Sequence, residues 1–154
     1  MIESEEKLKS FLKKEASSAE HLHFAQSCHS VKEAAIAANV PEEDFVKNIC
    51  MINFDGTLIV AIVKGEDRAS TSRVAEALKI ERPRLANPEE ILSLTGYPCG
   101  GTPSFGFPGT FFIDPRVMEK EFVYTGGGSE QSLVKVTPQE LLRLNNATIS
   151  RIRK

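Results

Sequence analysis

The sequence predicts an α+β fold: a mixed, largely antiparallel sheet flanked by helices. Three observations carry that expectation. The stretch "NICMINFDGTLIVAIV" sets two apolar, β-rich runs on either side of Asp55-Gly56, a dipeptide suited to a hairpin turn because glycine tolerates positive φ. Short strand-like runs recur near 110–113, 121–125 and 131–136. The elements come in mixed order, with hairpins rather than repeated βαβ units, which points away from a doubly wound parallel sheet.

Taken in order, "SEEKLKSFLKK" places Leu8, Phe11 and Leu12 at i, i+3 and i+4, the spacing of an amphipathic helix. "HLHFAQ" alternates, with Leu22 and Phe24 on one face and His21 and His23 on the other, as a strand does. "SVKEAAIAAN" opens with Ser30 and Glu33 in capping-box spacing and stops before Pro41. After the hairpin, residues 71–79 predict a helix with Val74, Ala75 and Leu78 inward. Asn87, Pro88 and Glu90 occupy the N-cap, N1 and N3 positions of another, ending at Gly96. Thr137-Pro138-Gln139-Glu140 starts a last helix, and "ATISRI" reads as a closing strand.

The length of 154 residues fits one domain, 1–154, able to bury a core. A content of 41% hydrophobic and 26% charged residues is that of an ordinary soluble protein. No apolar run reaches about 18 residues and no signal-peptide pattern opens the chain, so a cytoplasmic location and no membrane partner are expected. Cys28, Cys50 and Cys99 fit neither a disulfide framework nor a zinc ribbon. The formal charge of −2 argues against wrapping a long nucleic acid, though not against gripping one end of it.

The concentration of backbone oddities is "GYPCGGTPSFGFPG", residues 96–109, which holds half of the ten glycines and three of the eight prolines. Glycines bring backbone N–H groups close to a ligand's oxygens, and the interleaved Tyr97, Phe105 and Phe107 could wall a pocket or simply staple a rigid turn. His29 stands at the mouth of a helix N-terminus, where anions are stabilised. Lys47 and the Gly126-Gly127-Gly128 triplet say little by themselves. No His/Cys/Asp/Glu set completes a metal-ligand pattern, and a Cys–His nucleophile lacks a base that the sequence can place. No metal and no cofactor are expected.

Together, the capped helix after His29, "VKN" before an apolar hairpin, "TGYPCGGTPSFGF", "FFIDPR", "VYTGGGS" and "VTPQELLRL" occur in an order that resembles the YbaK family. That family is related to the editing domain inserted in bacterial-type prolyl-tRNA synthetases, and the resemblance covers about residues 20–145. It implies a strongly bent, barrel-like mixed sheet with helices around it. It also implies hydrolysis of the ester of mischarged aminoacyl-tRNA carrying a small amino acid, with the 3′ acceptor end of the tRNA, and a synthetase, as partners. Lys47 matches the family's functional lysine, and Gly100 and Gly101 the loop expected to act on the aminoacyl carbonyl and the attacking water through backbone groups. His29, Asn48, Thr102, Pro103, Ser104, Phe105, Asp114 and Gly126–Gly128 are the positions expected around the substrate. Asn48 follows a "Lys-Asn" variant of the motif, and Ser104 stands where many relatives have a second proline. A catalytically silent module of the same fold, binding a tRNA end, a nucleotide or a synthetase, is the alternative from another class.

Overall fold

The chain, described here by a computed structural model over residues 2–154, opens with helix α1 (Ile2–Lys14). Glu3 and Glu5 in its first turn and Lys13 and Lys14 in its last complement the helix dipole. Its Leu8 and Leu12 are buried, as the spacing predicted. Strand β1 (Glu20–His23) leads to α2 (Val31–Ala38), which ends on Asn39 in the left-handed conformation. The Ser30 hydroxyl accepts the Glu33 N–H at 3.1 Å, but the Glu33 carboxylate takes the Ser27 hydroxyl instead of closing the expected capping box.

The hairpin is β2 (Val46–Ile52) and β3 (Leu58–Lys64), antiparallel and in register from Val46↔Lys64 to Ile52↔Leu58. Its connection closes by an Asn53 N–H bond to the Thr57 carbonyl at 3.0 Å, with Gly56 at φ 85°. Asp55 contributes a carboxylate that accepts both the N–H and the hydroxyl of Thr57. Helix α3 (Thr71–Leu78) follows its Ser70 cap, then the two-residue strand β4 (Arg84–Leu85). Helix α4 (Pro88–Thr95) shows the full Asn87–Glu90 capping box and stops at Gly96, φ 81°. Beyond the glycine loop come β5 (Thr110–Ile113), a single turn α5 (Pro115–Met118), β6 (Val123–Gly126), β7 (Ser132–Val136), α6 (Pro138–Asn145) and β8 (Thr148–Ile149).

These strands form two sheets. One is antiparallel, in the order β1-β7-β6; the other runs β4-β2-β3-β5-β8, with its β3–β5 and β5–β8 pairs parallel. The expected barrel-like closure is not found. Among the described residues the sheets share one backbone bridge, Phe45 to Tyr124, while β4 pairs with β2 only at Met51 and Ile52. Between those points no strand among the described residues pairs with the outer edge of β2, and the Asn48 side chain reaches the Thr102 carbonyl of the glycine loop.

The hairpin separates two apolar clusters. Val46, Cys50, Val60 and Ile62 face α1, β6, β7 and α6, while Met51, Ile59, Ala61 and Val63 lie under Val74 of α3 and Ile152. β3 is buried on both faces, which accounts for its unbroken apolar sequence. No helix among the described residues is long and apolar enough to cross a membrane.

The Glu140 carboxylate joins α6 to the loop after α1. It accepts the Arg143 guanidinium, the Ser17 hydroxyl at 2.6 Å and the Ser18 N–H at 3.1 Å. Arg143 is the largest influence; it and the two serines outweigh the opposing effect of burial and bring the Glu140 pKa down to about 2. A depressed carboxyl pKa stabilises the fold fully above the unfolded value near 4.5 and loses that contribution as pH falls towards 2. Glu140→Gln is therefore expected to cost about 1–3 kcal/mol in urea unfolding at pH 7. The gap from the parent protein should narrow steadily between pH 4.5 and 2; a gap independent of pH would show that the carboxylate charge is not what holds the two segments.

Candidate active site

Asn48 lies midway along β2, on the face carrying Val46 and Cys50, and its side-chain amide is fully engaged. Nδ2 donates to the Thr102 carbonyl at 3.2 Å and to Thr125 Oγ1 at 2.9 Å, and Oδ1 accepts the Ser104 hydroxyl. Ser104 Oγ and Thr125 Oγ1 are 2.7 Å apart, so the three side chains close a ring in which each donates to the next. Ser104 and Thr125 are 0% and 2% exposed. A buried polar group without a partner is costly, so the ring specifies how β2, the glycine loop and β6 meet.

The glycine loop is fixed at several further points. The Pro98 carbonyl accepts the Gly101 N–H and the Thr102 hydroxyl, at 3.0 and 2.9 Å. The Gly128 N–H donates to the Gly101 carbonyl at 2.8 Å, and Asn145 Nδ2 to the Ser104 carbonyl at 2.6 Å. Phe105 is fully buried and stacks on Phe11, with ring centroids 6.1 Å apart, while Phe107 sits between Tyr97 and Phe111. The loop's aromatics are therefore anchors in the core. Burial pushes the Tyr97 phenol up to about 12.

A cleft of about 210 Å³ opens between α2, the outer edge of β2, this loop and β6. Val31, Ala34, Phe45 and Leu133 give it apolar walls; His29, Lys47, Asn48, Gly100, Thr102 and Gly126 supply polar atoms and backbone. Gly100 has φ 91°, and a Cβ there would run into the His29 imidazole. Gly126 meets the Thr102 carbonyl too closely for any side chain. Among the described residues, the N–H groups of Gly100 and Thr102 make no hydrogen bond.

Strand alternation turns Lys47 to the face opposite Asn48, and its ammonium donates to the Asp67 carbonyl at 3.0 Å. It is half-buried at the cleft, not a free surface charge. His29 is exposed, with Nδ1 3.3 Å from the Glu130 carboxylate. The remaining expected positions do not line the cleft. Gly101, Pro103, Ser104 and Phe105 are buried within the loop, and Gly127 and Gly128 are buried beside it, Gly128 through its N–H bond to Gly101. Asp114 is also elsewhere: its buried carboxylate accepts the N–H groups of Arg116, Ile152 and Arg153 and the Arg153 guanidinium, tying the C-terminal segment to β5.

Sequence reasoning missed the walls and one brace. Cys28 and Cys99 both line the cleft, although spacing gave them no role. Burial, with a contribution from Glu33, pushes the Cys28 thiol up, and burial with Cys99 nearby brings Cys50 to about 11, both unfavourable for a thiolate nucleophile. Helix α1, outside the quoted motifs, reaches the loop that follows β6. Ser4 donates to the Gly128 carbonyl at 2.6 Å, and the buried Glu5 carboxylate accepts the Ser129 hydroxyl at 2.8 Å beside His23. Burial works to raise the Glu5 pKa, but Ser129 and His23 outweigh it and the net shift is downward. Among the described residues, no group of three or more His, Cys, Asp or Glu is placed to hold a metal ion.

Removing the Asn48 amide would strand the Thr102 carbonyl, Ser104 and Thr125 together. Asn48→Ala is expected to cost about 2–4 kcal/mol in denaturant unfolding, since each buried group left unpaired costs about 1–3 kcal/mol. A loss below about 0.5 kcal/mol would mean that water replaces the amide without penalty.

The family model described as the aminoacyl-tRNA editing domain matches residues 25–144. The chain is 31% identical over 77 residues to a proline–tRNA ligase of Anaeromyxobacter sp. (strain Fw109-5), covering 49% of this chain but 13% of the ligase. It is 23% identical over 120 residues to the uncharacterized protein YwhH of Bacillus subtilis (strain 168), covering 77% and 76% of the two chains. Among solved structures, hypothetical protein APE2540 superposes with a TM-score of 0.89 at 27% identity, covering 96% of this chain and 99% of the other. A provisionally assigned trans-editing enzyme for prolyl-tRNA synthetase also gives 0.89, at 25% identity over 98% of this chain and 97% of its own. With the fold, the glycine loop and the match over residues 25–144 in agreement, this chain belongs to the aminoacyl-tRNA editing domain family.

Proposed function

We propose that the protein acts in trans as an aminoacyl-tRNA deacylase, hydrolysing the ester of a small, wrongly attached amino acid at the 3′ acceptor end. The observation that carries this reading is the pair of unbonded N–H groups, Gly100 and Thr102, at an apolar-walled cleft beside Lys47. Donors held in place before reaction suit a tetrahedral oxyanion and are often worth a few kcal/mol to the rate. The anchored loop limits the reorganisation that hydrolysis would otherwise require.

In this reading, water attacks the ester carbonyl carbon and the oxyanion is held by the two N–H groups. Collapse expels the ribose oxygen, which leaves with a proton as the hydroxyl of the terminal adenosine, and the amino acid departs. An aminoacyl ester is already activated, so positioning can replace a protein nucleophile. Lys47 would exchange the Asp67 carbonyl for a phosphate of the tRNA end, acting as a point charge. Val31, Ala34, Phe45 and Leu133 would bound the amino-acid side chain. Such a wall discriminates by size at about 1–3 kcal/mol per methylene, which suits removal of small residues such as alanine, cysteine or serine. The synthetase link of the related ligases suggests prolyl-tRNA as the background against which errors are removed, and the cytoplasm as the place.

The deciding experiment is a deacylation panel over several aminoacyl-tRNAs, with Lys47→Ala alongside. At least one small amino acid should be released well above the uncatalysed rate. Lys47→Ala should fold normally and lose about 100-fold, because small misplacements of a reacting ester carry penalties of that size. No turnover with any aminoacyl-tRNA sinks the enzyme reading; full activity in Lys47→Ala removes the lysine from it.

Two treatments should leave turnover intact. EDTA is expected to have no effect, and activity lost to chelation and restored by zinc would bring in a metal. Replacing Cys28, Cys50 and Cys99 together by serine is expected to lower stability but retain most of the rate. A folded but inactive triple variant would restore a thiol mechanism.

A further inference from the structure

Next to the cleft lies a run of positive charge that the deacylase reading leaves unused. Residues 151–154, Arg-Ile-Arg-Lys, run antiparallel to 68–70: Ala69 bridges Arg153, the Ser70 N–H donates to the Ile152 carbonyl at 2.7 Å, and the Lys154 N–H to the Arg68 carbonyl at 2.8 Å. This pairing sets Arg68 directly across from Lys154. Both are exposed, and among the described residues neither makes an ion pair; the same holds for Arg151. Like charges facing one another across a ladder repel, so an anion shared between them would relieve the pair.

Three neighbouring carboxylates cannot do so, because they are already taken. Glu66 pairs with Lys64 at 2.7 Å, Asp67 with Arg116 at 2.7 Å and Asp114 with Arg153 at 2.9 Å. Segments 64–76 and 151–154 together hold six Lys/Arg against three Asp/Glu, in a chain whose formal charge is −2. The charge is thus segregated, a footprint of a polyanionic partner. It is also continuous with the cleft: Lys47 bonds the carbonyl of Asp67, the residue immediately before Arg68.

We propose that Arg68 and Lys154 form a track for the phosphodiester backbone of RNA, receiving the part of the tRNA that leads away from the cleft. The identity of the RNA rests on the deacylase reading; the phosphate chemistry of the track does not. Residues 151–154 lie outside the matched family span of 25–144, whereas Arg68 lies within it.

The test is binding of uncharged tRNA over a series of KCl concentrations, comparing the parent protein, Arg68→Ala/Lys154→Ala, and a control with the same charge change, Lys13→Ala/Lys14→Ala. Each phosphate contact contributes about 0.7–0.9 to the slope of log K against log salt. The track variant should therefore lose about 1.5 from that slope and bind about tenfold more weakly at low salt, with an unchanged melting temperature. The control should match the parent protein. Three results overturn the track: parent affinity and slope in the track variant, an equal loss in the control, or no tRNA binding by the parent. Track-dependent binding without hydrolysis of any aminoacyl-tRNA supports the track and counts against the deacylase; hydrolysis with track-independent binding does the reverse.

Discussion

Asn48, Ser104 and Thr125 are far apart in sequence, and their side chains close one ring of hydrogen bonds at the place where two sheets fail to join. Asn48 sends its other amide hydrogen to the Thr102 carbonyl, so one side chain on β2 fixes both the glycine loop and β6. The donors and acceptors match without remainder. In a buried setting that match is the constraint: shifting any of the three segments leaves an unpaired polar group, whereas apolar contacts alone would tolerate sliding. The gap between the sheets is the cleft, and among the described residues the glycine loop lining it carries the N–H groups without a hydrogen bond.

The rest of the molecule braces this arrangement from behind. Phe105 and Phe11 stack, Asn145 of α6 holds the Ser104 carbonyl, and α1 reaches Gly128 and Ser129 through Ser4 and Glu5. Gly128 in turn donates to the Gly101 carbonyl. Helix α1 thus belongs to the support of the loop although it precedes the matched family span. Donors fixed before substrate arrives need little rearrangement during reaction, which is how a loop without a nucleophile can accelerate hydrolysis of an activated ester.

Elements with strong local chemistry were legible in the sequence. The capping box of Asn87 and Glu90, the stop at Gly96, the Asp55-Gly56 hairpin and the buried Leu8 and Leu12 all follow from periodicity and caps. What sequence could not supply is direction and partnership. Asn48 and Ser104 were recognised as unusual positions of the motif, yet only the fold shows them bonded to each other. Asp114 and Phe105 sit within matching motifs but point into structural roles, because a motif records chain position and not which face a side chain takes. The barrel-like expectation failed for a related reason: how far β2 pairs with β6 beyond the Phe45–Tyr124 bridge is a long-range matter with no local signal.

The central claim is that the hydrogen-bonded ring holds the loop in the geometry that the proposed hydrolysis requires. It is tested most directly by a double-mutant cycle of Asn48→Ala and Ser104→Ala, read as the single-turnover rate of deacylation of the best substrate. The account predicts that each variant slows hydrolysis and that the pair together costs scarcely more than either alone, a coupling of about 1–2 kcal/mol. Parent-like rates in folded single variants, or losses that simply add, would contradict it.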